Sequence, residues 1–300
     1  MKKQAMVVMN PTAGKGAGKN TLFAVADGLC RGGYDAVVMI TQRANHARDL
    51  MIERSSDFDI VICIGGDGTL NESVSGLMAL HDRTPLGYIP TGTVNDFAST
   101  LHLSHNGEEA IQDIVDGTLF PCDIGSFNER YFTYVAAFGA FTEVSYTTSQ
   151  SSKNLLGRVA YYLEGLKHLP KIKTYHVKIE YDGKLIEDEF IFGAISNSRF
   201  IGGNTFYSTK HAQLDDGRFE CLLIRPPQNP LDLQAIAAAL LKQELNDKFM
   251  IFFTAESIKI TSEEEIAWTL DGENGGSMKA VTIKNCPHAI DFIIAKEHNE

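Results

Sequence analysis

The chain has 300 residues, which at about 150 residues per domain predicts two domains, each large enough to bury a core without disulfide or metal crosslinks. With 44% hydrophobic and 22% charged residues, the composition is globular and excludes wholesale disorder or a collagen-like fibre. The 27 basic and 38 acidic residues give a net charge of −11, the wrong sign for binding nucleic acid through bulk charge. No nucleic-acid partner is therefore expected, and any phosphate contact must be local.

The cysteines and the apolar segments indicate the part of the cell in which the protein is found. Five cysteines, an odd number, are scattered without the C-x-x-C spacing of a zinc or redox site, so we expect reduced thiols. No stretch approaches the roughly 20 apolar residues of a membrane-spanning helix, and Asn10-Pro11 come too early for a signal peptide. The sequence predicts a cytoplasmic protein, for which peripheral contact with a membrane stays open.

The first part of the chain alternates short apolar runs with segments of helical period, which is typical of βα units around a parallel sheet. Strands are predicted at residues 5–9, 36–40, 60–64 and 86–89, and helices at 21–31, 46–54, 70–80, 96–101 and 108–115. We predict a Rossmann-like α/β domain over residues 1–122. Its ligands should bind at the carboxyl ends of the strands.

After Pro121 the apolar runs alternate and become rich in β-branched and aromatic residues, which favours antiparallel strands. Strands are predicted at 175–181, 189–195, 219–224, 257–261, 267–270 and 281–283, with helices at 154–169 and 231–246. Residues 123–300 are predicted to form a β-rich C-terminal domain, an antiparallel sandwich or barrel. Its last strand is free to return to the first domain.

Three loops of the first domain follow predicted strands and open predicted helices. The first runs from Asn10 to Lys19; its backbone N–H groups and helix N-terminus suit a phosphate, although it lacks the P-loop spacing. The second places three glycines around Asp67, and the third carries the short polar side chains of Thr93, Asn95 and Asp96. The alternatives are a flexible connection, an ordinary turn with an Asp cap, and a helix cap formed by Thr93 or Asn95.

Two acidic segments of the second part suit metal or proton-transfer chemistry. In Asp271-Gly272-Glu273 the two acids are two residues apart, so an extended segment would present both on one face, one as a base and one as a Mg²⁺ or network ligand. The residues alone do not order the two roles, and a D-G hairpin turn is the alternative. Asp215 and Asp216 offer oxygen ligands, or form an acidic β-turn.

Six motifs in order resemble the bacterial diacylglycerol kinase and lipid kinase family, which is related to sphingosine and ceramide kinases. They are N-P-T-A-G-K-G, G-G-D-G-T-L-N-E, P-T-G-T-V-N-D-F-A, C-D-I-G-S-F-N-E-R-Y-F, the stretch from Gly202-Gly203 to Asp216-Gly217, and L-D-G-E. The resemblance implies an ATP-dependent phosphotransferase with its active site in a cleft between an α/β and a β-rich domain. Lipid would enter between the domains.

The resemblance also implies roles for individual residues. It favours Glu273 as catalytic base with Asp271 beside it, and it makes Asp67 part of the catalytic site. The implied ATP site consists of Asn10, Pro11, Thr12, Ala13, Gly14, Lys15, Thr41, Gly65, Gly66, Asp67, Gly68, Thr69, Leu70, Asn71, Glu72, Thr93, Asn95 and Asp96. The implied Mg²⁺ site outside the chemistry uses the Asp216 side chain and the backbone carbonyls of Gln213 and Arg218, with Asp215 as a further candidate.

These inferences together predict an ATP- and Mg²⁺-dependent kinase that converts a diacylglycerol-like lipid to phosphatidic acid, a step of phospholipid synthesis. The same reaction on a sphingoid base, ceramide or phosphatidylglycerol is the first alternative, and a nucleotide- or lipid-binding sensor without turnover is the second. Exposed sheet edges also allow a homodimer. A membrane-facing surface is predicted from Lys15, Lys19, Arg158, Lys167, Lys171 and Lys173, with Phe138 and Phe141 near the lipid entrance.

Overall fold

The structure, a computed structural model, describes residues 2–16, 18–93, 95–139, 172–197, 213–242 and 244–296. The chain divides into two units. Unit 1 comprises residues 1–123 and 288–300, and unit 2 comprises residues 124–287. The predicted fold class, an α/β part with a parallel sheet and a β-rich antiparallel part, is confirmed.

Unit 1 is built on four parallel strands in the spatial order β2-β1-β3-β4. They are β1 (Lys3–Met9), β2 (Tyr34–Ile40), β3 (Ile60–Gly65) and β4 (Leu86–Pro90). β3 and β4 are buried at every residue, as expected for central strands covered on both faces. Because the four strands run the same way, the loops that follow them all lie at the carboxyl ends of the strands. We call this end of the sheet the carboxyl edge, as distinct from the side of the sheet formed by an unpaired edge strand.

The described residues of unit 1 form five α-helices around this sheet. They are α1 (Gly18–Arg31), α2 (His46–Arg54), α3 (Asp67–Met78), α4 (Asp96–Thr100) and α5 (Gly107–Asp116). α1 and α5 pack closely because a Cβ on Gly28 would lie only 2.7 Å from Ile111 Cγ2. α2 and α3 approach in the same way, since a Cβ on Gly76 would lie 2.5 Å from the Arg48 carbonyl oxygen. Glycine at both positions lets the helix backbones come together.

Unit 2 consists mainly of antiparallel strands with one described helix. The strands are β5 (Thr118–Phe127), β6 (Arg130–Phe132), β7 (Val135–Gly139), β8 (Tyr175–Tyr181), β9 (Lys184–Phe190), β10 (Phe192–Ser196), β11 (Phe219–Ile224), β12 (Met250–Ala255), β13 (Ser257–Leu270) and β14 (Glu273–Ile294), and the helix is α6 (Pro230–Lys242). β5 starts and β14 ends within unit 1. The main order is β12-β11-β10-β7-β13-β14, with the β8–β9 hairpin on β13. Trp268 is fully buried in the core between Phe127 and Phe138.

Several predicted elements of the second part differ from the observed ones or lie outside the described residues. The predicted strand 189–195 is two strands, β9 and β10, because the chain changes partners from β8 to β7 and β11 near Ile191. The predicted strands 257–261 and 267–270 are one strand, β13, with a bulge between Thr261 and Ile266. The predicted helix 154–169 lies outside the described residues.

The cysteines are all free, and Cys63, Cys122 and Cys221 are buried. Burial raises the pKa of the Cys63 thiol to about 12 and that of Cys221 well above its usual value. These thiols therefore stay protonated and act as small apolar groups in the core. Among the described helices, none combines the length and the apolar character needed to cross a bilayer.

Candidate active site

Two loops of unit 1 are in direct backbone contact at the carboxyl edge. The Thr91 N–H donates to the Gly65 carbonyl at 2.8 Å. A Cβ on Gly92 would lie 2.6 Å from Gly66 Cα, and a Cβ on Gly66 would lie 3.2 Å from Gly92 Cα. The glycines of the second and third loops therefore allow an approach that side chains would prevent.

The first loop joins the second through Asn10. Its amide Nδ2 donates to the Thr69 hydroxyl at 3.0 Å, and its Oδ1 accepts from the N–H and the hydroxyl of Thr12 at 3.0 and 2.8 Å. Gly14 has φ +54°, in the left-handed region that favours glycine. The structure thus connects the first loop, residues 10–14, with the second loop, residues 65–69. The side chains of residues 15–20, including Lys15, are not among those that the structure describes.

Asp67 is the first residue of α3, which begins three residues earlier than predicted. The first N–H groups of a helix lack partners within it, and the helix dipole favours negative charge there. The Asp67 Oδ1 atom is buried, and a Cβ on Gly65 would lie 2.5 Å from Thr69 Cβ. The G-G-D-G-T segment is therefore a tight strand-to-helix turn that fixes one carboxylate at the carboxyl edge.

The Asn95 side chain shapes the third loop and makes no capping bond to the helix that follows. Asn95 has φ +56° and is 3% exposed. Its Oδ1 accepts from the Gly92 N–H at 3.0 Å, and its Nδ2 donates to the Gly92 carbonyl at 2.9 Å. The alternative in which the Asn95 side chain caps a helix is therefore wrong. Thr93 is exposed and Asp96 opens α4, both at the same edge.

Tyr88 is a polar contributor to this edge that the sequence analysis missed. Its hydroxyl lies 3.3 Å from the Gly65 carbonyl and 3.4 Å from Asn95 Oδ1, so it links the second and third loops. Burial raises the pKa of the phenol well above its usual value, and the charge of Asp67 adds to this. The phenol therefore stays protonated and remains a donor. The only sequence signal was a phenol near the end of an otherwise apolar strand.

Glu72 braces the loop that follows β2. Its two carboxylate oxygens accept from the backbone N–H groups of Asn45 at 2.8 Å and Ala47 at 3.2 Å. Thr41, which begins this loop, is buried and bonded through its N–H to the Met9 carbonyl at 2.9 Å. Direct nucleotide contact by Glu72 and Thr41 stays a prediction, as it does for Leu70, whose side chain is buried.

In unit 2, the Asp271 carboxylate is buried and accepts four hydrogen bonds from one loop. Oδ2 accepts from the Thr133 N–H at 2.7 Å and its hydroxyl at 2.9 Å. Oδ1 accepts from the N–H groups of Tyr134 at 3.0 Å and Val135 at 3.1 Å. Such a carboxylate strongly orders the loop between β6 and β7.

The D-G-E segment is a hairpin turn and not an extended stretch. Asp271 and Gly272 both have positive φ, +50° and +81°, and Leu270 pairs with Glu273 across the turn. The expectation that both acids share one face is therefore wrong, because the chain reverses between them. The Glu273 side chain is exposed, and among the described residues its carboxylate has no hydrogen-bond or ion-pair partner.

The segment predicted to bind metal is an exposed turn. Asp216 Oδ1 accepts from the Arg218 N–H at 2.9 Å, and Gly217 has φ +74°. The Arg218 guanidinium donates to Asp182 at 2.6 Å and to Glu256 at 3.1 Å, and the first contact raises the pKa of Arg218. No group of three His, Cys, Asp or Glu side chains suitable for a metal occurs in the described parts of the chain.

Comparison with known proteins agrees with these motifs. The diacylglycerol kinase catalytic domain model matches residues 4–127, and the YegS C-terminal NAD kinase beta sandwich-like domain model matches residues 135–294. The chain is 33% identical over 300 residues to a diacylglycerol kinase of Bacillus subtilis, covering 99% of this chain and 98% of that protein. It is 38% identical over 283 residues to a diacylglycerol kinase of Staphylococcus haemolyticus, covering 93% and 85%.

A solved structure supports the same assignment. The crystal structure of a diacylglycerol kinase from Bacillus anthracis superimposes with a TM-score of 0.76 at 26% identity, covering 98% of this chain and 97% of that one. The similarity thus extends over both units. The chain belongs to the diacylglycerol kinase family, a family of lipid kinases.

Proposed function

We propose that this protein transfers the γ-phosphate of ATP to the free hydroxyl of a diacylglycerol, giving phosphatidic acid and ADP, with Mg²⁺ required. One observation carries the chemical part of this proposal. Asp271 has both carboxylate oxygens occupied by four donors, whereas the neighbouring Glu273 carboxylate is exposed and without a partner among the described residues. Glu273 is therefore the acid of the pair that is available to accept a proton, and Asp271 is a positioning residue.

The carboxyl edge of unit 1 supports the nucleotide half of the reaction. Phosphates bind well to backbone N–H groups at helix N-termini and in glycine-rich turns. Asp67 and Asp96 each open a helix at this edge. They are the carboxylates here that would hold a Mg²⁺ ion, which when bound offsets the charge of the ATP phosphates. In this proposal the loops hold the triphosphate and orient its terminal group.

The transfer step needs a group that accepts the hydroxyl proton. Glu273 takes that proton as the acceptor oxygen forms its bond to the γ-phosphorus and the bond from phosphorus to the β–γ bridging oxygen breaks. The electron pair of the broken bond leaves with ADP. The four bonds to Asp271 keep the turn that carries Glu273 in place.

Asp271→Asn tests the positioning role. The substitution replaces one acceptor oxygen with an NH₂ group that faces backbone donors, so we expect a loss of about 2–4 kcal/mol of unfolding free energy. The melting temperature should fall by roughly 6–12 °C and kcat should fall with it. Thermal unfolding followed by circular dichroism gives the first quantity. A variant with wild-type stability and reduced kcat would contradict the positioning role and make Asp271 a catalytic residue.

Tyr88→Phe keeps the ring and removes only the hydroxyl that links the second and third loops. Each lost hydrogen bond contributes about 0.5–1.5 kcal/mol, so we expect the KM for ATP to rise roughly three- to tenfold with a smaller change in kcat. Tyr181→Phe is the matched control, because that phenol stacks on Phe253 in unit 2. Steady-state kinetics with varied ATP measures both variants. An unchanged KM for ATP would show that Tyr88 does not position the loops.

The proposed Mg²⁺ site at the Asp216 turn would use the Asp216 carboxylate and the backbone carbonyls of Gln213 and Arg218, because Mg²⁺ prefers oxygen ligands. If the turn binds Mg²⁺, the ion should raise the wild-type melting temperature by roughly 2–4 °C over EDTA, and Asp216→Asn should abolish this difference. Asp188→Asn is the control, because that carboxylate pairs with Arg225. A melting temperature that changes with neither Mg²⁺ nor EDTA would show that the segment is a turn without a bound metal.

The experiment that tests the function is transfer of radiolabel from γ-labelled ATP to a panel of lipids in mixed micelles with Mg²⁺. The panel contains diacylglycerol, a sphingoid base, ceramide and phosphatidylglycerol, with NAD and sugars as controls. Label in phosphatidic acid is expected. Label in another lipid would keep the reaction and change the acceptor, whereas ATP binding without any labelled product would favour a sensor.

A further inference from the structure

Unit 1 exposes four large or branched apolar side chains around its free sheet edge. Phe23 of α1 is 80% exposed, and Val37, Val38 and Ile40 of β2 are 40%, 39% and 41% exposed. Val37 alternates to the other face of β2 from Val38 and Ile40. Among the described strands, β2 pairs only with β1 and so forms the edge of the parallel sheet. We call Phe23, Val38 and Ile40 the outer-edge patch.

Helix geometry places Phe23 on the flank of α1 that faces away from α5. Thr21 and Gly28 of α1 face α5, since Thr21 Cγ2 would lie 2.6 Å from a Cβ on Gly107 and a Cβ on Gly28 would touch Ile111. Two residues along an α-helix correspond to a rotation of about 200°. Phe23 therefore points away from α5, toward the free edge of β2.

Strand alternation places Val38 and Ile40 on the same side of the sheet as α1. Tyr34 and Ala36 of β2 pack in the cluster that contains Val25 of α1. Successive side chains of a strand alternate between faces, so the other even-numbered positions of β2 face the same side. The three residues of the outer-edge patch thus belong to one surface.

This surface lies at the carboxyl edge of the sheet. Ile40 is the last residue of β2, and Phe23 is in the second turn of α1, which starts at the carboxyl end of β1. The glycine-rich loops described above lie along the same edge. A surface that meets a lipid here would be next to the proposed nucleotide loops.

The charge of the surrounding sequence is opposite to that of the whole chain. Residues 10–26 and 36–48 contain no Asp or Glu and carry Lys15, Lys19, Arg43 and Arg48, in a protein of net charge −11. The Arg43 side chain remains 60% exposed beside its partner Asp49. A local excess of basic residues around exposed apolar groups is the pattern that binds anionic lipid headgroups.

We propose that the outer-edge patch enters the headgroup region of an anionic bilayer and holds unit 1 on the membrane that contains the lipid substrate. This rests on the proposed function, which requires a substrate dissolved in a membrane. A second copy of the chain is the weaker occupant, because a stable dimer buries about 800 Å² per partner and three side chains supply only part of that area.

The patch replaces part of the membrane surface predicted from the sequence. Phe138 is fully buried against Trp268 and Tyr175, so it cannot contact lipid. Lys173 pairs with Glu264 at 3.3 Å. Phe141, Arg158, Lys167 and Lys171 lie outside the described residues.

The test is sedimentation of the protein with vesicles of phosphatidylcholine, with and without the anionic lipid phosphatidylglycerol. Phe23→Ser and Val38→Thr change exposed side chains and should leave the fold intact. We expect each to weaken binding to the anionic vesicles, Phe23→Ser by about tenfold. Leu231→Ser is the matched control, since Leu231 is 75% exposed on α6 of unit 2.

Turnover of a short-chain diacylglycerol below its critical micelle concentration separates this proposal from the proposed function. We expect both patch variants to phosphorylate it at rates within about twofold of wild type, because neither residue belongs to the proposed site. Unchanged vesicle binding of Phe23→Ser, or an equal loss in Leu231→Ser, would overturn the patch. Dissociation of a dimer in Phe23→Ser without loss of vesicle binding would assign the patch to a second copy.

Two further outcomes would support one of the two proposals and contradict the other. Wild-type protein that phosphorylates the short-chain lipid and ignores anionic vesicles would overturn the patch and leave the proposed function standing. Wild-type protein that binds vesicles through Phe23 and phosphorylates no diacylglycerol would support the patch and contradict the proposed acceptor.

Discussion

Replacing Glu273 by Gln should lower kcat on diacylglycerol by roughly 10²- to 10⁴-fold while the melting temperature stays within about 2 °C of wild type. The amide keeps the shape of the side chain and loses the ability to accept the proton of the attacking hydroxyl. Stability should hold because the Glu273 side chain is exposed and has no partner among the described residues. Single-turnover kinetics with saturating Mg²⁺ and ATP isolates the chemical step.

The contrast with Asp271→Asn makes the Glu273 experiment decisive. Asp271→Asn should lose stability and activity together, because its carboxylate orders residues 133–135. Glu273→Gln should lose activity alone. The affinity for ATP, measured by equilibrium binding, should be unchanged in Glu273→Gln, since the proposed role of this residue is on the acceptor. A kcat within threefold of wild type would remove Glu273 from the chemistry.

The strands of unit 1 were predictable because burial on both faces leaves a continuous apolar run. β3 and β4 were each predicted to within one residue, although the helix after β3 was predicted to start at Leu70 and starts at Asp67. The glycines of the G-G-D-G-T motif made this helix start hard to predict. Glycine weakens helix propensity, but here it is required by the contact between Gly66 and Gly92.

The long strands of unit 2 were harder to predict because their extent is set by pairing with neighbouring strands and not by local composition. β14 runs from Glu273 to Ile294, and only residues 281–283 of it were predicted as strand. Its sequence contains Gly275, Gly276 and Pro287, which have low strand propensity. Pairing with β13 over its first part and with β4 at Phe292 keeps it extended.

The sequence indicated the residue types of the candidate site but not the contacts that they make. The D-G-E segment was expected to be extended or a turn; the residues alone did not order its two carboxylates, whereas the resemblance favoured Glu273 as the base. The groups that donate hydrogen bonds to Asp271 lie 136 to 138 residues away in the chain, so no local sequence pattern indicates them. The same holds for Tyr88, which reaches back to Gly65 across the sheet.

Asp67 should be as important for the nucleotide side of the reaction as Glu273 is for the acceptor side. Its carboxylate is fixed at the N-terminus of α3, one residue after the contact between Gly66 and Gly92. A carboxylate so close to the proposed phosphate loops is compatible with a bound triphosphate only if a cation lies between them, since like charges at short range repel strongly. We therefore expect Asp67 to act with Mg²⁺ on ATP.

Asp67→Asn should lower kcat by about 10²-fold or more, because it removes the charge that is proposed to orient Mg²⁺ and ATP. Binding of ATP without Mg²⁺ should become equal or tighter, because the repulsion between Asp67 and the phosphates is lost. Titration calorimetry with and without Mg²⁺ measures this difference, and Asp35→Asn, an exposed acid paired with Lys2, is the control. If Asp67→Asn kept both near-wild-type turnover and an unchanged response to Mg²⁺, the carboxylate would belong to the fold of the turn and not to the reaction.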